Sequence, residues 1–429
     1  MTVNRKISPP LSELSVPKVL PYTTQVLPNG IEMLLLHDPD QEVFKMDVVF
    51  DAGAYYQKQP LVATTAINML NEGTIYHNSA EIADIFDYYG AYVDFNCGMH
   101  KAELNLLSLN KFAEETIPIL AEILSSSTIP AHELDIYLCN KKQQFLVEKQ
   151  KTAWLARKEF TRLLFGTNHP YANTVKEEDY DRITPEIIRE FYKERLNAGN
   201  CFVLLSGNIT PEIRHITTET FGKLSRPGNT LQTPVYALQP ALPGRSKIEK
   251  EDAVQTSIRI GKKGVRLTDE DYAGFLLLNT VLGGYFGSRL MSNIREEKGY
   301  TYGIHSFNVS LPETAYWCVA TDVDNKYTEA TIEEVLKEIR TLRNELIPEA
   351  ELNLVKNFFH GDLLREIDGV FAQSDALKHK LPYGIDNCFY SEIIHKIKQC
   401  NAPYLRELAE KYLNPEQLYI VTAGKHPYN

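Results

Sequence analysis

Six cysteines, at positions 97, 139, 201, 318, 388 and 400, lie far apart and include no CxxC. That spacing offers neither a disulfide framework nor a cysteine zinc site, so reduced thiols are expected. No apolar run approaches the roughly 18 residues of a membrane-spanning helix, and the opening MTVNRKISPPLSELSVPKVLP lacks the apolar stretch of a secretory signal. A cytoplasmic protein with no membrane span is the expectation. The eleven histidines, among them His77, His100, His132, His169, His305 and His360, have no histidine three or four residues away, so no helical pair stands ready to grip a metal. A concentrated basic surface is missing too. The net charge of −11 argues against nucleic acid as a partner and leaves two readings open, an acidic chamber for basic peptides or ordinary solubility.

What the chain does have is length and internal likeness. At 429 residues, with 43% hydrophobic and 24% charged residues, it is too long for one ordinary core and neither disordered nor membrane-embedded. FYKERLNAGNCFVLLSGN (191–208) and LAEKYLNPEQLYIVTAGK (408–425) both run from an amphipathic helix through Leu-Asn into an apolar strand ending at glycine. The match sets Leu196 on Leu413 and Gly207 on Gly424; upstream, ATTAINMLNEG (63–73) aligns with GFLLLNTVLGG (274–284), Asn68 opposite Asn279. Repetition at long spacing with the same element order points to duplication. Each half reads as strands, two helices, paired strands, long helices, a helix and a final strand. The fold class predicted is α+β, two homologous domains, each a mainly antiparallel sheet covered by helices. The domains are placed at 1–225 and 247–429, with a proline- and glycine-rich linker over 226–246 loose enough to let the halves clasp something.

The most informative stretch is LGGYFGSRLMSNIREEKGYTYG, 282–303. SRLMSNIREEK reads as a helix with an apolar stripe at Leu290, Met291 and Ile294, Gly299 sits where a left-handed cap belongs, and YTYGIHSFNVS reads as a strand. Arg295 would close the helix and Tyr302 open the strand. A fixed cation and a phenol aimed at one spot suit a peptide carbonyl or its oxyanion.

LGG-x-F-x-SRL followed by IRE-x-KG-x-x-Y resembles the second half of the M16 (pitrilysin or insulinase-like, inverzincin) peptidases, in which such an Arg and Tyr pair binds substrate; the resemblance runs from LPNGIEMLLLHD near residue 27 to LYIVTAGK at 425. It implies a clam shape. In that family an H-x-x-E-H helix of the first half binds zinc through two histidines and activates water with the glutamate. Counting back from MLNEGT (69–74) places those five positions at Thr64, Thr65, Ala66, Ile67 and Asn68. Thr64 and Asn68 stand for the histidines and Ile67 for the glutamate; a hydroxyl and an amide are weak zinc ligands, and isoleucine takes no proton. The third-ligand position falls near Gln144, with Glu148 the nearest carboxylate. The strand AYVDFNCGM, which in the family holds an extended peptide by strand addition, carries Asp94 and Phe95 where the family has Asn-Ala, and reads better as a core strand with Val93 and Phe95 inward.

The resemblance therefore implies a chain with no cofactor of its own and no activity alone. It matches the family members that act as the non-catalytic subunit of a heterodimeric zinc peptidase. Zinc is expected in a partner subunit with an intact HxxEH, while Arg295 and Tyr302 bind the peptide substrate. Homodimerisation of the isolated chain is left open. The alternative is a structural or peptide-binding relative with no proteolytic role.

Overall fold

In the computed structural model, residues 18–172, 175–226, 231–385 and 389–425 are described; residues 1–17, 227–230 of the linker and Cys388 lie outside them. The first half builds β1 (Thr23–Val26), β2 (Glu32–His37), β3 (Val43–Phe50), α1 (Val62–Asn68), α2 (Ser79–Tyr88), β4 (Tyr92–Cys97), β5 (Ala102–Leu109), α3 (Ala113–Ser126), α4 (Ala131–Glu148), α5 (Thr152–Phe165), α6 (Pro185–Arg195), β6 (Cys201–Gly207) and α7 (Pro211–Phe221). The second half builds β7 (Gly244–Glu249), β8 (Gln255–Lys263), α8 (Tyr272–Asn279), β9 (Ile304–Ser310), β10 (Ala315–Asp324), α9 (Thr328–Asn344), α10 (Glu349–Glu366), α11 (Gly369–Lys380), α12 (Phe389–Gln399), α13 (Ala402–Tyr412) and β11 (Tyr419–Gly424).

The architecture is α+β, as expected, and the duplication reaches down to strand order. One sheet runs β1-β2-β6-β3-β5-β4 and the other β7-β11-β8-β10-β9. Without β1 the orders coincide, including the single parallel pair in each, β2 with β6 and β7 with β11. Gly207 and Gly424 both end their strands, and Asn68 and Asn279 both end their helices. Strands buried on both faces explain the continuous apolar runs: Met33 and Leu35 enter the first core, while Leu34 points to the opposite face.

What covers those opposite faces is exchanged between the halves. Ala156, Phe160 and Leu164 of α5, from the first half, pack on Cys318, Val421 and Ala423 of the second sheet. Reciprocally, Leu377 of α11 packs on Leu34 and Leu204 of the first sheet. Beside that contact Lys378 reaches Glu103 (2.7 Å), Asp375 (3.1 Å) and the fully buried Asp47 (3.3 Å), and Lys45 lies 3.3 Å from Asp47. The linker is strapped down as well, with Gln239 and Ala241 N–H donating to the Phe165 and Leu163 carbonyls of α5. The join is an interlock where composition suggested a loose tether. Proline and glycine report local propensity, but hydrogen bonds to a distant helix set the actual freedom.

Candidate functional site

Helix α1 carries Thr64, Ile67 and Asn68, the positions that the sequence resemblance sets against a zinc motif. Thr64 and Asn68 stand one turn apart on one face, but the Asn68 amide Nδ2 donates to the Thr64 carbonyl at 2.8 Å, closing on its own helix. Ile67, between them, is 0% exposed and belongs to the first-half core. A side chain on the face that should meet a metal is therefore packed solid. From β4, the Cys97 thiol donates to the Gly98 carbonyl at 3.7 Å, and burial pushes it up to about 11 against the neighbouring Thr64 hydroxyl. Burial likewise raises the Tyr137 phenol of α4, which sits within electrostatic range of Cys97. Gln144 on α4 is exposed, and Glu148, also exposed, is ion-paired to Lys151. These residues do not fit zinc: a hydroxyl, an amide, a buried isoleucine and two groups facing solvent supply no convergent donor set. Among the described residues, no group of three or more His, Cys, Asp or Glu side chains could hold a metal ion.

The Arg295 and Tyr302 region departs from expectation in two details. The helix is π-helical over Met291–Glu297. It ends as foreseen: Gly299 has φ +65° and lets the Tyr300 N–H reach back to the Ile294 carbonyl at 3.0 Å. Tyr302 does not open the strand, because β9 pairs with β10 only from Ile304, opposite Thr321. The cause is local: the hydroxyls of Thr301 and Thr321 both donate to the Gly303 carbonyl, at 3.0 and 2.9 Å, and hold that segment in a bend. Tyr302 is consequently 94% exposed. The Arg295 guanidinium lies over the Phe286 ring, 4.5 Å from its centroid, in a cation–π contact at the surface, with Phe286 itself 61% exposed. Among the described residues no hydrogen bond or ion pair joins either side chain to α1. The arrangement offers a cation propped on an aromatic shelf and an exposed phenol, donors suited to a peptide backbone.

The two sheets end on equivalent strands, β4 and β9, and the β9 edge is closed by the segment before it. On β9 the Ile304 N–H points to the Met291 sulfur at 3.5 Å, and the Ser306 carbonyl accepts from Asn279 Nδ2 at 3.0 Å. Asn279 is fixed in turn by the Trp317 indole, which donates to its Oδ1 at 2.8 Å. Gly283 completes the lid, since a Cβ there would come within 2.8 Å of the Ser306 nitrogen. Asn68, the counterpart of Asn279, is turned to Thr64 instead, and β4 remains a half-buried edge strand with Val93 and Phe95 packed inward as expected. Phe286, Asn279, Cys97 and Tyr137 were not foreseen as parts of the site. The first two stand inside aligned motifs and were in view; the other two become neighbours of Thr64 only through β4 and α4.

A family model for the "Peptidase M16 inactive domain" matches residues 182–359. The chain is 21% identical to the "Uncharacterized zinc protease YmxG" of Bacillus subtilis (strain 168) over 404 residues, covering 91% of this chain and 94% of the relative. It is 23% identical to the "Non-peptidase homolog YmxG" of Helicobacter pylori over 55% of each chain. It is 19% identical to the "Mitochondrial-processing peptidase subunit beta" of Neurospora crassa over 94% of this chain and 87% of the relative. In fold it is similar to the crystal structure of a peptidase M16 inactive domain from Pseudomonas fluorescens, with a TM-score of 0.86 at 24% identity over 96% of this chain and all of the other.

Proposed function

We propose, from the premise that this chain belongs to the M16 peptidase family as an inactive homologue, that it is the non-catalytic subunit of a heterodimeric zinc peptidase. In this reading it binds the peptide and completes the site of a partner that carries zinc in an intact HxxEH. The observation that carries the reading is a contrast within one chain. Ile67 is buried where a proton acceptor would stand, while Arg295 and Tyr302 are presented outward on Phe286 and on a hydroxyl-braced bend.

The chemistry assigned to the pair is electrostatic. Arg295 binds a substrate carbonyl, its guanidinium oriented by the Phe286 ring before the peptide arrives. Tyr302 donates to the oxygen that gains charge as a nucleophile in the partner attacks. One such donor, strengthened in the transition state, is worth on the order of 3 kcal/mol, a factor of about 100 in rate. A relative named as a subunit of a processing peptidase supports a two-chain arrangement.

The test is reconstitution with a copurifying HxxEH-bearing M16 chain. Arg295→Ala and Tyr302→Phe, made here, are expected to lower kcat of the pair about 100-fold each with assembly intact, and this chain alone is expected to cleave nothing. A pair that keeps full activity with both changes would leave the structural reading in its place.

A further inference from the structure

The duplication marks one place where the halves carry different chemistry. Helices α4 and α10 are both 18 residues long and both follow a proline, Pro130 and Pro348. Matched from their first residues, Leu138 falls on Lys356, Cys139 on Asn357 and Lys142 on His360. The segments that lead into α6 and α13 match from their caps, Thr184 and Asn401, each of which accepts the N–H three residues on. That match sets Asp181 on Lys398, three residues before the cap in each half. In the first half the charges cancel, with the Lys142 ammonium 2.8 Å from both oxygens of Asp181. In the second half a lysine stands where that carboxylate would be.

A cavity of about 510 Å³ opens there, between α10 and α12. It exists because α10 turns a polar stripe, Asn353, Lys356, Asn357 and His360, toward α12, while Leu352 and Val355 on its other face enter the second core. Short amides do not fill a helix–helix junction as packed aliphatic side chains do. The apolar wall is Leu363, Ile394 and Ile397, all buried, and the cationic rim is Lys356 and Lys398. Among the described residues neither lysine is ion-paired, and no Asp or Glu lines the cavity. Lys356 is aimed by one bond, from its Nζ to the Lys398 carbonyl at 3.0 Å. An ammonium has three donors, so two remain for a ligand.

We propose that this cavity binds a small monocarboxylate with an unbranched apolar tail. Its carboxylate lies between Lys356 and Lys398, with the Asn357 amide as a further donor, and its tail lies on Leu363, Ile394 and Ile397. The ligand supplies from outside the negative charge that Asp181 supplies within the first half. The apolar wall sets the class: inorganic phosphate or acetate would satisfy the lysines but leave three aliphatic side chains facing water, and an amine would meet two like charges. A concave site with an apolar wall and a few convergent donors is the usual form of a small-molecule pocket. The site needs neither a partner subunit nor a peptide and is independent of the function proposed for Arg295 and Tyr302.

The test is isothermal titration calorimetry of the full chain with octanoate at pH 7, below its micelle-forming range, where one site is expected. Each buried methylene is worth about 4-fold in affinity, so hexanoate should bind about 15-fold more weakly. Octylamine, with the same tail and the opposite charge, and inorganic phosphate, with charge and no tail, should each bind at least about 10-fold more weakly than octanoate. Lys398→Asp, an exposed change that copies the first half, gives Lys356 an internal carboxylate and should weaken octanoate by at least about 10-fold. In a chain labelled at its isoleucine methyls, octanoate should shift the Ile394 and Ile397 resonances. No octanoate binding, octylamine binding as tightly, unchanged affinity in Lys398→Asp, or methyl shifts that spare Ile394 and Ile397 would each overturn the proposal.

Discussion

Replacing Ile67 by glutamate installs the carboxylate that the resemblance would call for there and should damage the protein. Ile67 is 0% exposed in the first-half core. Removing a fully buried isoleucine forfeits about 2–3 kcal/mol of apolar burial. The incoming carboxyl finds no cation among its core neighbours and stays neutral, its pKa raised by about 3 units, which at pH 7 adds about 4 kcal/mol. The sum, about 6–7 kcal/mol, rivals the whole stability of many domains. The sign of the pH dependence follows. A carboxyl with a raised folded-state pKa destabilises more as pH climbs above its ordinary value, so the penalty should be about 3 kcal/mol smaller at pH 5 than at pH 7. Urea unfolding followed by circular dichroism, with wild type and Ile67→Gln measured at both pH values, isolates that effect, since glutamine has the size of the change without the ionisation. A penalty under about 1 kcal/mol at pH 7, or one that ignores pH, would refute the view that this helix face is packed shut. The triple change Thr64→His, Ile67→Glu, Asn68→His is likewise expected to bind zinc at well below one equivalent, because Gln144 and Glu148 face solvent.

Two further outcomes test the interlock and the closed edge. Lys378→Met removes one of the lysines that neutralise buried Asp47, leaving it Lys45 at 3.3 Å and the Ser374 hydroxyl at 3.5 Å; urea unfolding should show a loss of about 3–5 kcal/mol, partly recovered by adding Asp47→Asn. Asn279→Ala strands the Trp317 indole N–H and the Ser306 carbonyl; a loss of about 3 kcal/mol and altered tryptophan fluorescence are expected, and unchanged stability would mean that the lid over β9 is not holding.

Much of this molecule could be read before its coordinates. The duplication was legible because backbone order is written in local pattern: Leu196 with Leu413 and Gly207 with Gly424 mark the same helix-to-strand passage twice. The cap at Gly299 was legible for a similar reason, as only glycine takes a positive φ cheaply. Tyr302 was misplaced by two residues because the start of β9 depends on Thr321, a residue of the next strand, whose hydroxyl captures the Gly303 carbonyl.

By itself, the sequence determined the α+β class, the doubled plan and the poor metal-ligand chemistry of the Thr64, Ile67 and Asn68 side chains, since side-chain identity alone says what can donate or accept. The tertiary structure decided that the halves exchange α5 and α11, and that Asn279 seals one sheet edge while Asn68 turns back on its own helix. The exchange joins residues hundreds of positions apart. No local propensity encodes such meetings, because they exist only once two complete sheets have packed against each other's helices.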